Sequence, residues 1–248
     1  MKISIITASF NNADTIRDTI HSVLEQDYPA IEYIIIDGAS TDATLKIVEE
    51  FRPRIAKIIS EKDNGIYDAL NKGITNASGD VIAFLHADDI YAAKDVITKV
   101  MKVFSEENCD SVYGDLYYVD RNDTSKIVRN WKSKKYSKDL FRKGWMPPHP
   151  SFFLKKEMYS KFGSFNTTLR SAADYELMLR MLLRHEISSV YLPEVIVKMR
   201  TGGVSNVSLK NRIKANREDK RAWKINDLKP GWFTFIRKPL SKIGQFFG

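Results

Sequence analysis

Short apolar, β-branched runs at residues 3–7, 33–37, 56–60 and 81–85 alternate with helix-like stretches at 14–25, 43–51 and 66–76. Each run is bounded by polar or turn residues, and none keeps a strict apolar–polar alternation. A strand with one wet face alternates; a strand covered on both faces is apolar on both side-chain rows. Strands that alternate with helices in this way indicate parallel βαβ units with a helix layer on each face of the sheet. The chain therefore reads as an α/β protein with a doubly wound, mainly parallel sheet. A further helix over 92–104 should lead to a strand at 111–119. Residues 124–146 are basic and irregular, and Met146-Pro147-Pro148-His149-Pro150 forces an extended turn. Helices at 155–162 and 172–184 follow, with Gly163 closing the first. Short strands at 188–192 and 195–200 complete a body spanning 1–207, and residues 208–248 form a separate basic, amphipathic extension.

Charge separates these two parts. Residues 208–248 carry 11 Lys and Arg against three acids, an excess equal to the whole net charge of +8. A segregated cationic tail points to an anionic surface, either lipid headgroups or nucleic acid. Residues 208–224 read as a basic helix. After Pro230-Gly231 comes an aromatic run from Trp232 to Phe247, interleaved with Arg237, Lys238 and Lys242 and interrupted by Pro239. That mixture suits a segment lying in a bilayer interface. The competing reading is that Trp232, Phe235, Leu240 and Phe246 pack onto the body.

The longest apolar runs fall far short of the ~20 residues that span a bilayer, and no basic-then-apolar leader precedes the first strand. The single cysteine, Cys109, excludes an intramolecular disulfide framework and any multi-cysteine metal site, and fits a reducing compartment. The expected location is cytoplasmic, peripheral at the inner face of the cell membrane.

Open α/β sheets bind ligands at the carboxyl ends of their strands. Those ends read Thr7-Ala8-Ser9-Phe10-Asn11-Asn12, Asp37-Gly38-Ala39-Ser40-Thr41-Asp42, Glu61-Lys62-Asp63-Asn64-Gly65 and His86-Ala87-Asp88-Asp89. Neither G-x-G-x-x-G nor G-x-x-x-x-G-K-[ST] occurs, so no glycine loop approaches a phosphate. An acidic rim without such a loop needs a divalent cation to hold a diphosphate, and Asp88-Asp89 supplies hard oxygen ligands for Mn²⁺ or Mg²⁺. The alternative is that one of the pair caps the following helix.

Taken in order, these motifs resemble the family-2 glycosyltransferases, inverting enzymes of the GT-A fold, over roughly the first two hundred residues. Residues 5–12 are similar to the family's opening strand and nucleotide turn, and 33–42 to its second signature. Residues 63–73 match the helix under the nucleotide. His86-Ala87-Asp88-Asp89 falls at the D-x-D-type metal motif, and Ala173-Asp174-Tyr175-Glu176-Leu177 at the E-D motif. Three positions depart from the family pattern: Gly38 replaces the second Asp of a common Asp-Asp, His86 opens the D-x-D-type motif, and Ala173 replaces the Glu of E-D.

The resemblance implies roles that each compete with a plainer one. Ser9 and Phe10 would line the nucleotide, Phe10 covering the base, unless Phe10 only fills the core. Asp37 would contact the uracil or ribose, or else caps its turn through Ser40 and Thr41. Asp63, Asn64, Tyr67 and Asp68 cluster at a helix start, which more often means a solvated cap; Tyr67 and Asp68 are the nucleotide-binding candidates. Asp88 would contact both nucleotide and metal, with Asp89 as a second metal ligand. His86, His149 and Arg200 are candidates for donor-phosphate or acceptor contacts. Asp174, which opens its helix, would be the general base, because inversion needs one carboxylate to take the acceptor hydroxyl's proton.

The expected function is metal-assisted transfer of a sugar from a nucleotide-diphosphate donor, a UDP-sugar, to a hydroxyl of a glycan or lipid-linked acceptor. The resemblance further implies a step in bacterial surface-polysaccharide synthesis, and nucleic acid is not an expected partner. Three alternatives compete. A non-catalytic relative would lack the base or the metal site, whereas Asp89 and Asp174 are retained. A nucleic-acid-binding protein would use the tail but repel phosphate at the acidic rim. A sugar nucleotidyltransferase would carry a Gly-rich opening loop.

Overall fold

The structure is a computed structural model and describes residues 1–202, 209–232 and 234–235. In chain order the elements are β1 (Ile3–Ser9), α1 (Ile16–Leu24), β2 (Ile31–Asp37), α2 (Thr44–Glu50), β3 (Lys57–Ser60), α3 (Ile66–Asn76), β4 (Val81–Phe84), β5 (Asp89–Tyr91) and α4 (Val96–Glu107). There follow β6 (Ser111–Val119), β7 (Ile127–Trp131), α5 (Lys138–Arg142), β8 (Phe152–Lys155), α6 (Lys156–Phe162), α7 (Ala173–Met178), β9 (Ser189–Arg200) and α8 (Leu209–Ile225). A π-helical turn at Leu179–Arg184 continues α7.

One sheet carries the order β3-β2-β1-β4-β8-β6-β9-β5, with β7 paired to β6. The four N-terminal strands are parallel, as the βαβ reading requires. The second half is mixed: β8 runs antiparallel to both β4 and β6, while β9 is parallel to β6 and antiparallel to β5. The side chains of β1, β2 and β4 divide between two cores. Ile6, Ile34, Ile36, Ile82 and Phe84 meet the layer of α3, α6, α7 and α8. Ile3, Ile5, Tyr33, Ile35, Val81 and Ala83 meet α1, α2 and α4. Each of the Ile, Val and Phe side chains among them contributes about 1.5–3 kcal/mol on full burial. Burial on both faces explains the unbroken apolar runs.

Several elements depart from the sequence reading. The stretch expected to be irregular, 124–146, contains β7 and α5. Ile127 and Val128 of β7 are 54% and 49% exposed, on a strand that pairs along one side only among the described residues. Such an edge strand has no apolar face to betray it. The segments expected at 188–192 and 195–200 form one strand, whose register against β6 slips between Tyr191 and Val195, around Pro193. β5 and β8 have three and four residues, too few for periodicity to register.

α8 is the basic helix expected near 208–224, but it is not free of the body. Ala222 and Trp223 are buried in the core layer of α7. The Trp223 Nε1–H donates to the Tyr175 hydroxyl at 2.8 Å, and Asn226 Nδ2 donates to Glu176 at 3.0 Å. Glu218 accepts the Ser171 N–H at 2.7 Å. Arg217, Lys220, Arg221 and Lys224 remain exposed around that inward stripe. Further on, the Thr234 hydroxyl donates to the Arg142 carbonyl, and Phe235 packs against the core, whereas Trp232 is 98% exposed. Phe233 and the later part of the aromatic run, with Arg237, Lys238, Pro239, Leu240, Lys242 and Phe246, lie outside the described residues. No helix among the described residues is long and apolar enough to cross a membrane.

Candidate active site

The parallel strands end on one rim. Asn11 and Ala39 adopt left-handed φ values of 53° and 60°, which turns the chain sharply after β1 and β2. The two turns are tied together: Asn11 N–H donates to the Ser40 hydroxyl, and Thr41 N–H to Asn11 Oδ1, both at 2.9 Å. Asp37, a candidate for base or ribose contact, is fully buried. Its Oδ2 accepts the Ser40 N–H at 3.0 Å and the Ser60 hydroxyl at 2.7 Å, and its Oδ1 accepts the Ser40 hydroxyl. Asp37 thus locks the turn, the plainer role expected of it, with Ser40 and Ser60 rather than Thr41 as partners. Ser9 is buried with its Oγ unpartnered, and Phe10 stands 60% exposed, so Phe10 is not core filling.

At the start of α3 the two candidates separate. Asp68 accepts the Asn64 N–H at 2.9 Å and so closes the first turn, a capping role. Tyr67 points elsewhere: its hydroxyl lies 3.1 Å from Asp174 Oδ1, and its ring stacks on Phe165 at 5.5 Å. Burial and the Asp174 charge push the Tyr67 hydroxyl far above its usual pKa, so it remains a proton donor.

Asp174 has a second partner. His149 Nδ1 lies 3.2 Å from Asp174 Oδ2, on a 3-10 turn between Pro148 and Pro150. That contact favours the tautomer with its proton on Nδ1. The His149 ring lies 6.2 Å from that of His86, centroid to centroid. Burial and the neighbouring His149 hold the His86 imidazole below its usual range, while Asp88 and Asp174 oppose that shift. Tyr67, His86, Asp88, His149 and Asp174 therefore form one cluster, drawn from four segments. The 86–89 turn is held by α1, because Thr15 and Thr19 donate to the carbonyls of Ala87 and Asp89 at 2.9 and 2.8 Å.

Arg200 supports the same turn from behind. It is 5% exposed and donates to the Asp88 carbonyl and the Arg121 carbonyl, each at 3.0 Å, and to the Asp18 carboxylate. With its guanidinium engaged by protein on three sides, it braces the Asp88 backbone. Gly203 and Ser205, which follow Arg200 closely in the chain, lie outside the described residues. Arg180 braces α7: it binds Glu176 at 3.0 Å and the carbonyls of Gly163 and Ser164 at 2.6 and 2.7 Å.

Among the described residues, no group of three or more His, Cys, Asp or Glu side chains is arranged to hold a metal. Mg²⁺-type sites on nucleotides need only one or two carboxylates, since phosphate oxygens and water complete the shell. Asp88 is half-buried, and His86 Nδ1 beside it is buried without a partner, so these two fit such a partial site. Asp89 is enclosed, with both carboxylate oxygens unpartnered. Burial and the Asp88 charge hold its carboxyl well above the usual carboxylate range, and Arg200 offsets this only in part.

The sequence reading left Asp63 among the helix-cap residues. In the structure its carboxylate stands over Gly38 beside Phe10. The available signal was Gly38 itself, a bare position where the related signature carries a carboxylate.

Residues 4–163 match the family model described as glycosyl transferase family 2. An uncharacterized glycosyltransferase of Mycobacterium tuberculosis is 35% identical over 183 residues, covering 73% of this chain and 69% of its own length. S. aureus TarS 1-349 in complex with UDP-GlcNAc shares the fold with a TM-score of 0.70 at 17% identity, over 91% of this chain and 65% of that one. The mannosyltransferase PcManGT from Pyrobaculum calidifontis, in complex with GDP-Man and Mn²⁺, aligns with a TM-score of 0.66 at 19% identity, over 96% of this chain and 68% of that one.

Proposed function

The chain belongs to glycosyl transferase family 2, and from that premise we propose that it moves a sugar, with inversion, from a UDP-sugar to a hydroxyl of a glycan or lipid-linked acceptor. The observation that carries this reading is the convergence of Asp174, held by Tyr67 and His149, with His86 and Asp88 at the strand ends. The acceptor oxygen attacks the anomeric carbon as the bond to the diphosphate breaks, and the diphosphate leaves with the bonding electrons. Asp174 takes the hydroxyl proton. The Tyr67 O–H and His149 Nδ1–H orient its two oxygens, and each oxygen retains a further lone pair for the incoming proton. Asp88, with His86, would hold a divalent cation, which when bound stabilises negative charge on the diphosphate. Arg200 keeps Asp88 in place through its backbone.

The two structural neighbours support a nucleotide-sugar donor, since UDP-GlcNAc is bound by one and GDP-Man with Mn²⁺ by the other. A thermal-shift panel tests this. UDP is expected to raise the melting temperature in Mn²⁺ and to lose that effect in chelator. A panel in which no nucleoside diphosphate shifts melting, with or without metal, sinks the donor reading.

The same reading includes peripheral contact with an anionic membrane. Trp232 is 98% exposed, and Lys229, Arg142 and Lys143 on the adjoining segments are exposed as well. An indole among cations suits the headgroup region, and each basic residue near an anionic surface contributes about 1 kcal/mol. The full chain should sediment with phosphatidylserine-containing vesicles at low salt, and Trp232→Ala should sediment less. Equal sedimentation with neutral and anionic vesicles would remove the membrane from the proposal.

A further inference from the structure

Asp174 is the second residue of α7, which has six residues before it passes into the π-helical turn. Fewer than two turns of regular α-helix cannot hold their own N-terminus in water, because nucleation fixes several residues for few hydrogen bonds. Ala172 occupies the N-cap, where it has no side-chain oxygen to offer the first turn. The direction in which Asp174 points must therefore be fixed from outside α7.

Four side chains of α8 grip this stretch in turn. Arg221 donates to the carbonyl and the hydroxyl of Thr168, each at 3.2 Å. Glu218 Oε1 accepts the Arg170 N–H at 3.2 Å, and its Oε2 accepts the N–H and hydroxyl of Ser171 at 2.7 and 2.8 Å. Past Asp174, Trp223 holds the Tyr175 hydroxyl and Asn226 holds Glu176. The backbone is thus anchored on both sides of Asp174 by one helix. Glu218 is one of only three acids in residues 208–248, and it is turned against the body while cations around it face water.

We propose that α8 completes the catalytic site, with Glu218 and Trp223 as positioning residues that set Asp174 between Tyr67 and His149. This deepens the general-base reading and rests on it. The carboxylate has to meet the Tyr67 hydroxyl at 3.1 Å and His149 Nδ1 at 3.2 Å, two groups that come from separate segments. A displacement of about 1 Å loosens both contacts, and a misplacement of that size can cost about 10²-fold in rate. Without Glu218, two main-chain N–H groups lose their acceptor just where the chain enters α7. The basic extension, read from its charge as a surface-binding tail, then has a second role on its inward face.

NMR of the imidazole nitrogens, on the full chain and with no ligand, tests this. His149 should carry its proton on Nδ1 in the parent chain. Glu218→Ala should shift it toward the other tautomer and leave His21, on α1, unmoved. A variant that melts as the parent does and keeps the parent His149 signals overturns the inference and leaves the general-base reading intact. If Asp174→Ala itself leaves His149 unmoved, the cluster around Asp174 falls instead. In UDP release from a UDP-sugar, kcat for Glu218→Ala should drop about 10–100-fold with the donor KM unchanged. A parent kcat overturns the positioning role, and so does an equal proportional drop when Glu218→Ala is added to Asp174→Asn, since residues acting through one group are not additive. If Glu218→Ala melts early, Glu218→Gln keeps the side chain's size and sets an amide NH₂ against one of the two N–H donors. The same His149 shift and kcat loss are then expected of it, and their absence overturns the proposal.

Discussion

Asp174→Asn is expected to lower turnover by roughly 10²–10⁴-fold, the usual weight of a general base, while donor affinity stays near that of the parent chain. The substitution preserves side-chain size and leaves one oxygen to accept from Tyr67 or His149, so the cluster keeps its shape. What it removes is the lone pair basic enough to take the acceptor proton. The position also lies at the start of α7, where a carboxylate favours the helix electrostatically by about 0.3–1 kcal/mol. That smaller effect should appear only as a slight fall in melting temperature. UDP release from a UDP-sugar donor supplies the rate, and calorimetry with UDP supplies the affinity. Full turnover in a variant that melts normally would reduce Asp174 to a helix-terminal group and shift attention to His149 as the proton acceptor.

The second large effect concerns the metal. Asp88→Ala should reduce UDP affinity in Mn²⁺ by about 10²-fold, the scale of losing one charged partner in a desolvated site, and bring it to the level seen in chelator. Asp89→Asn serves as the comparison, since Asp89 is fully enclosed and keeps its shape in the substitution. If Asp88→Ala still binds UDP in a metal-dependent way and Asp89→Asn does not, the ligand is Asp89. If both retain the dependence, the cation is held elsewhere. Because Arg200 grips the Asp88 carbonyl and not its carboxylate, Asp88→Ala leaves that brace in place.

How far such residues were visible beforehand depended on whether their role is local. Apart from the three-residue β5, the strands and helices up to Val119 follow from runs of five to a dozen neighbours, and a sheet buried on both faces imposes those runs directly. Asp88 and Asp174 were legible as candidates because they sit at a strand end and a helix start. The role of Asp37 was not legible. Its position at the end of an apolar strand suits a ligand contact and a turn lock equally, and its bond from Ser60, 23 residues away on the adjacent strand, is set by the tertiary structure alone. Trp223 presents a similar case. Its neighbours are lysines and arginines, and only the Tyr175 hydroxyl opposite shows that the helix has an inward face.

The amino-acid sequence by itself determined the α/β class, the parallel direction of the first four strands, the acidic rim and the family, because each of these is written in short-range patterns. The tertiary structure alone decided which rim groups stand together. Tyr67 and Asp174 are 107 residues apart in the chain and 3.1 Å apart in space, and no local periodicity carries that distance. The turn at Pro148 brings His149 to the same carboxylate, while Arg200 crosses 112 residues to hold Asp88. Asp63 reaches the bare position at Gly38 only because β2 and β3 pair in register, Asp37 opposite Ser60. A side chain's chemistry is set by its residue type, but its partners are set by the packing of elements remote in sequence, and in this protein those partners separate the candidate general base from the caps and braces around it.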